Sequence, residues 1–167
     1  MQKVTYIVVL FLFVSCVVKS NNTTIVDKTD TLKCVILNDT AVYGINKYQL
    51  LYLYNFDDDR KTIELQKNHT TIKIIALPKA DMEAKNFSID TIKETNKGFE
   101  IKASWGGGFW FCSRVFNFSF YNNSFYLNKI IVWHYYMQTD DEMSKEEIIT
   151  PPIEILKFDI LNYIEQY

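Results

Sequence analysis

The sequence predicts a mainly β protein, an antiparallel meander sheet or sandwich of about seven to nine strands with a short C-terminal helix. Three observations carry that prediction. Residues 111–121 and 124–132 are runs of alternating character flanking Asn122-Asn123, and Asn tolerates the positive φ that both central residues of a type I′ hairpin turn require. Of 167 residues, 48% are hydrophobic and 16% aromatic, which supplies one core and favours strands. Polar turn signals recur between the apolar runs, while five glycines and three prolines are too few for a long flexible linker.

The hairpin sets the expected register. With Asn122 and Asn123 as the turn, Tyr121 faces Ser124, Phe120 faces Phe125, Phe118 faces Leu127 and Phe116 faces Lys129. Phe116, Phe118, Phe120, Phe125, Leu127 and Ile131 then share a packed face, and Asn117, Ser119, Tyr126 and Asn128 share a wet one.

Ahead of it the chain divides into a leader (1–16), a polar tether (17–31) and one β-rich domain (32–167). Met1 to Lys3 supply a short positive start and Val4 to Val14 an apolar run of signal-peptide length. The run ends L-F-V-S-C at Leu12 to Cys16, which resembles the lipobox of bacterial lipoproteins and implies that Cys16 is lipidated. Ordinary cleavage after Ser20, releasing a secreted protein, is the alternative. With Cys16 acylated, Cys34 and Cys112 are left as either one disulfide or two small thiols in the core.

Within the domain, Leu32 to Leu37 is a first strand and Tyr48 to Tyr54 a central one covered on both faces. Lys61 to Gln66 and Thr70 to Leu77 follow. Asp57, Asp58 and Asp59, between Tyr54 and Lys61, are consecutive and lack a glycine, so they read as a solvated turn instead of a calcium loop. Residues 78–86 hold at most one helical turn, and Phe87 to Lys93 and Gly98 to Ser104 are further strands. Phe99, Ile101, Ala103 and Trp105 alternate with polar residues, which places Trp105 inward. Beyond the hairpin, acidic residues 140–147 read as a solvated loop, Thr150-Pro151-Pro152 bars helix, and Asp159 is the expected N-cap of the last helix.

The Gly-rich stretch Trp105 to Trp110, W-G-G-G-F-W, is the candidate ligand-binding loop, with Trp105, Phe109 and Trp110 as its aromatic groups. No catalytic, metal-binding or cofactor-binding residues are assigned. Asp90 and Glu100, the carboxylates considered for a hydrolase, lack the spacing of an acid–base pair. His69 and His134 fall at no zinc-site spacing with Cys34 or Cys112. A net charge of −2 without a basic cluster excludes a phosphate-binding surface, so nucleic acid is not an expected partner.

The arrangement of Leu50-Leu51-Tyr52-Leu53, Phe99-Glu100-Ile101, Gly106-Gly107-Gly108, Phe116-Asn117-Phe118 and Asn122 to Leu127 resembles a group of uncharacterised exported proteins and lipoproteins of Bacteroidota-type bacteria. The resemblance spans residues 48–132 and implies a β-hairpin block and an extracytoplasmic location. The expectation is a lipoprotein on the periplasmic side of the cell envelope, attached to the membrane through its lipid and acting as a non-catalytic module for a glycan or protein partner. An inhibitor or immunity-type protein, whose acidic 140–147 would suit a basic target, is one alternative. A secreted eukaryotic or viral glycoprotein is another, raised by N-x-S/T sequons at Asn21, Asn22, Asn38, Asn68, Asn86, Asn117 and Asn122.

Lipidation is testable directly. An alkyne fatty acid fed to bacteria expressing the chain should label it, and Cys16→Ser should abolish the label; label surviving the substitution, or a mature N-terminus at Asn21, would end the lipoprotein reading.

Overall fold

The computed structural model describes residues 33–79 and 84–164. The leader, the tether and Cys16 lie outside these residues, as do residues 80–83 of the stretch 78–86 read as holding at most one helical turn. Among the described residues, no helix is long and apolar enough to cross a membrane.

Nine strands are described: β1 (Lys33–Tyr43), β2 (Asn46–Asn55), β3 (Arg60–Lys67), β4 (Thr70–Ala76), β5 (Ser88–Thr95), β6 (Gly98–Gly107), β7 (Trp110–Tyr121), β8 (Ser124–Tyr136) and β9 (Asp141–Glu154). They form two antiparallel meanders, a four-stranded sheet β1-β2-β3-β4 and a five-stranded sheet β5-β6-β7-β8-β9. The expected mainly β sandwich is therefore what the chain adopts. Tight turns explain the meander: Asn122 and Asn123 have φ of 49° and 59°, and Asn68 and His69 have 48° and 68°, as two-residue type I′ turns require. The same chemistry accounts for Asn at sequon positions 68 and 122.

The core lies between the sheets. Tyr48, Leu50, Tyr52, Ile63, Leu65 and Ile75 face it from the first sheet; Phe99, Ile101, Phe116, Phe118, Phe125 and Leu127 face it from the second. Strand β2 is apolar on both faces, as expected, because its outward Leu51 and Leu53 cluster with Val35 on the far side of the first sheet. The sheets meet along β1 and β5, where the Glu94 backbone N–H donates to the Asp39 carboxylate. Across the opposite side, the C-terminal segment covers the gap, with Ile155, Phe158 and Ile160 all buried.

Three expectations need correction. First, β8 carries an extra residue. The expected pairing holds from Tyr121↔Ser124 to Phe118↔Leu127, then shifts, so that Asn117 faces Lys129 and Phe116 faces Ile130, not Lys129. Asn128 is the unpaired residue, and the slip turns Ile130 into the core where Ile131 was expected. Second, the acidic segment is no loop but the start of β9. As an edge strand it tolerates charge on both faces, and charge there discourages pairing with another chain. Its pairing jumps from Lys129↔Ile148 to Leu127↔Ile153, leaving Ile149 to Pro152 bulged opposite Asn128. Edge bulges are where a sheet accepts proline. Third, the C-terminal helix is two 3-10 turns, Ile155–Lys157 and Ile160–Tyr163. Asp159 does cap the second, accepting from Leu161 N–H at 3.0 Å. Ile155 and Phe158, three residues apart, point the same way at the three-residue period of such a turn.

The bulge makes a sharp stability prediction. Ile130→Ala should cost about 2 to 5 kcal/mol in urea unfolding, because it empties a fully buried site, and Ile131→Ala about 1 kcal/mol or less. The reverse order would place the bulge elsewhere.

Candidate functional site

The Gly-rich stretch is a β6–β7 hairpin. Gly107 pairs with Trp110, leaving Gly108 and Phe109 as a two-residue turn. Gly108 has φ of +70°, the first central position of a type II′ turn, which favours glycine. Gly106 serves a different end. A Cβ there would stand 2.6 Å from the Trp110 carbonyl oxygen, and the Gly106 backbone bonds in both directions to the preceding loop, its N–H to Lys85 O at 2.7 Å and its carbonyl from Asn86 Nδ2 at 2.8 Å. The glycines thus hold a loop against a hairpin.

The three aromatic groups of this hairpin do not converge. Trp105 is 3% exposed, with Phe87 near-parallel at 6.3 Å between ring centroids and the Arg114 guanidinium 5.7 Å from its ring. It is a core residue that also borders the depression described below. Trp110 lies half-buried at the core margin, on the same side as Trp105, and Phe109 is alone at the turn tip, 62% exposed. Trp105 and Trp110 share the inward face, and Phe109 belongs to the turn. Cys34 and Cys112 stand as separate thiols on β1 and β7, in different sheets. Asp58 pairs with Arg60, and Asp59 accepts from the Tyr54 hydroxyl at 2.6 Å, so these two serve the β2–β3 turn.

The chemistry gathers instead on the outer face of the five-stranded sheet. The register aligns Ser88, Ser104, Ser113, Trp133 and Ser144 in one row across all five strands. One step along, Gly106, Phe111, Tyr135 and Glu142 form the next row. Small hydroxyl side chains therefore lie beside three aromatic rings. Tyr135 is near-parallel to Trp133 at 6.1 Å and 15°, and to Phe111 at 6.4 Å and 27°. Trp133 and Tyr135 are half-buried and Phe111 is 36% exposed, so the rings present apolar surface to solvent.

Carboxylates fix this row. The Trp133 indole N–H donates to Glu142 at 2.6 Å and the Tyr135 hydroxyl to Asp140 at 3.0 Å. The hydrogen bond to Asp140, and then the charge of that carboxylate, push the Tyr135 phenol above its ordinary value, which keeps it protonated. At the opposite end Asp90, the bulged residue of β5, accepts from Ser88 Oγ at 2.9 Å and Ser104 Oγ at 2.8 Å, with Lys102 Nζ 4.0 Å away. Glu100 is held by Lys93 at 2.9 Å. Asp90 and Glu100 are thus each engaged by neighbours within the sheet.

Asp90, Lys102, Ser104, Phe111, Ser113 and Trp133 line a depression of about 510 Å³ on this face. A ring row, hydroxyls and an oriented carboxylate can hold a molecule that has both C–H faces and hydroxyl groups. Sequence reasoning missed Trp133 and Tyr135 because the unforeseen bulge at Asn128 reverses the facing of everything after it on β8; Phe111 faces outward by simple alternation along β7 and was read only as part of the hairpin run. No protein-family model matches the chain, and no curated protein or solved structure is significantly similar to it.

Iodide quenching of single-Trp variants, with the other two Trp replaced by Phe, should show Trp105 protected and Trp110 and Trp133 each more accessible than it. Equal quenching of Trp105 and Trp133 would contradict the assignment of faces.

Proposed function

We propose that this protein is a non-catalytic glycan-binding module of the bacterial cell envelope, lipid-anchored through Cys16, that takes its ligand on the outer face of the five-stranded sheet. The observation carrying this reading is the ring row Phe111-Tyr135-Trp133 lying beside the serine row and Asp90. A sugar ring has an apolar face of C–H groups and a rim of hydroxyls. The first packs on aromatic surface; the second exchanges hydrogen bonds with serine hydroxyls and a carboxylate. The role is binding because the carboxylates here act as struts: Glu142 and Asp140 hold ring polar groups, and Asp90 holds two serines. Envelope attachment rests on the leader and the L-F-V-S-C end, together with the resemblance to exported proteins.

Affinity electrophoresis through gels containing xylan, glucomannan, mixed-linkage β-glucan or glycol chitin tests this. The protein should be retarded by at least one, and Trp133→Ala should lose the retardation while changing stability by only about 1 kcal/mol. Unretarded wild-type protein across the panel, or retention of binding by Trp133→Ala, would overturn the proposal.

A further inference from the structure

We infer that the ligand is an elongated, uncharged glycan chain lying along β7 and β8, with one part on the ring row and another in a second depression of the same face. This rests on the glycan-binding reading above and adds to it the shape, charge and length of the ligand.

The second depression, about 580 Å³, includes Asn117, Ser119, Asn128, Lys129 and Glu146 in its lining. Register places it on the same side of the sheet as the first. Ser113, Val115, Asn117 and Ser119 alternate along β7 with the inward Arg114, Phe116 and Phe118. From Ser113 to Asn117 and Ser119 is four to six residues, about 13 to 20 Å at ~3.3 Å per residue. A single sugar cannot span that distance.

What lies between the depressions suits a chain crossing from one to the other. Val115 pairs with Ile131 at the midpoint, both half-buried, so the saddle is low and apolar without a bulky ring to block it. At the far end the groups become amides. Asn117 and Asn128 each offer both donor and acceptor atoms, and Asn128 Nδ2 lies 2.6 Å from Ser119 Oγ, which orients both groups.

Charge selects against polyanions. The three strand lysines of this face each lie near a carboxylate, Lys93 at 2.9 Å from Glu100, Lys102 at 4.0 Å from Asp90 and Lys129 at 3.2 Å from Glu146, and the exposed Lys97 of the β5–β6 turn is the remaining cation at the rim of the second depression. Glu142 adds a further negative charge beside the rings. A sulfated or uronic acid-rich chain would meet carboxylates along its path; a neutral one meets hydroxyl, amide and ring groups.

Calorimetric titration of the intact protein with cello-, xylo-, manno- and chito-oligosaccharides of two and six units tests the inference. For the series that binds, the six-unit chain should bind at least about tenfold tighter than the two-unit one. Asn117→Ala and Asn128→Ala, checked separately because Asn128 sits in the bulge, should each reduce that length gain while leaving two-unit affinity unchanged; Trp133→Ala should weaken both lengths. Equal affinity for both lengths, or an undiminished gain in both Asn variants, would overturn the elongated site while leaving the ring row as a small-sugar site. Tighter binding of dextran sulfate than of any neutral chain, weakening with salt, would overturn the uncharged ligand, and binding of none of these would remove the glycan reading together with this one.

Discussion

A single extra residue in β8 determines which aromatic side chains this protein shows to solvent. Side chains along a strand alternate strictly, so one unpaired residue exchanges the two faces for the remainder of the strand. Asn128 is that residue. Before it, Phe125 and Leu127 point inward; after it, Ile130, Val132 and His134 do, and Trp133 and Tyr135 turn out. Without the slip, Trp133 and Tyr135 would face inward at the Cys112 and Trp110 end of β7, and the outer face would carry no ring row.

The bulge is held from both sides. On β7 the register shifts between Asn117 and Phe118, and on β9 four residues, Ile149 to Pro152, bow out opposite the same Asn128. The two prolines sit where their missing N–H groups cost the ladder least. Strand β9 thereby aligns Glu142 and Glu146 with Tyr135 and Ile131, within reach of Trp133 and Lys129. The acidic character of the segment thus serves the edge and the rings together.

This arrangement explains what could be read from the sequence. The Asn122-Asn123 turn, the doubly apolar β2 and the burial of Trp105 follow from local rules, a turn type or a two-residue alternation, and the structure agrees with each. The fold class followed from them. The facing of Trp133 did not, because it depends on pairing with a strand that returns through Pro151-Pro152, and nothing in N-K-I-I-V-W distinguishes Ile130 from Ile131 as the inward residue. Strict alternation continued from Leu127 through Ile131 would send Trp133 inward, hiding the candidate site. Strand β9 was illegible for a related reason: an exposed edge needs no apolar period, and its charges look like those of a loop.

The buried C-terminal turns also fix when the molecule can become itself. Phe158 sits edge-on to Phe116 at 5.4 Å and to Phe118 at 5.2 Å, and Ile155 and Ile160 complete the wall. The four-stranded sheet is made of neighbouring strands joined by short turns, so it can zip up early in folding, but one whole face of it stays wet until the second sheet arrives. Even then the rings at the centre of that second sheet lack their cover until Ile155, Phe158 and Ile160 have docked on them. Docking of this segment and closure of the core are a single event, and a chain cut just after β9 would keep all nine described strands and have no finished interior.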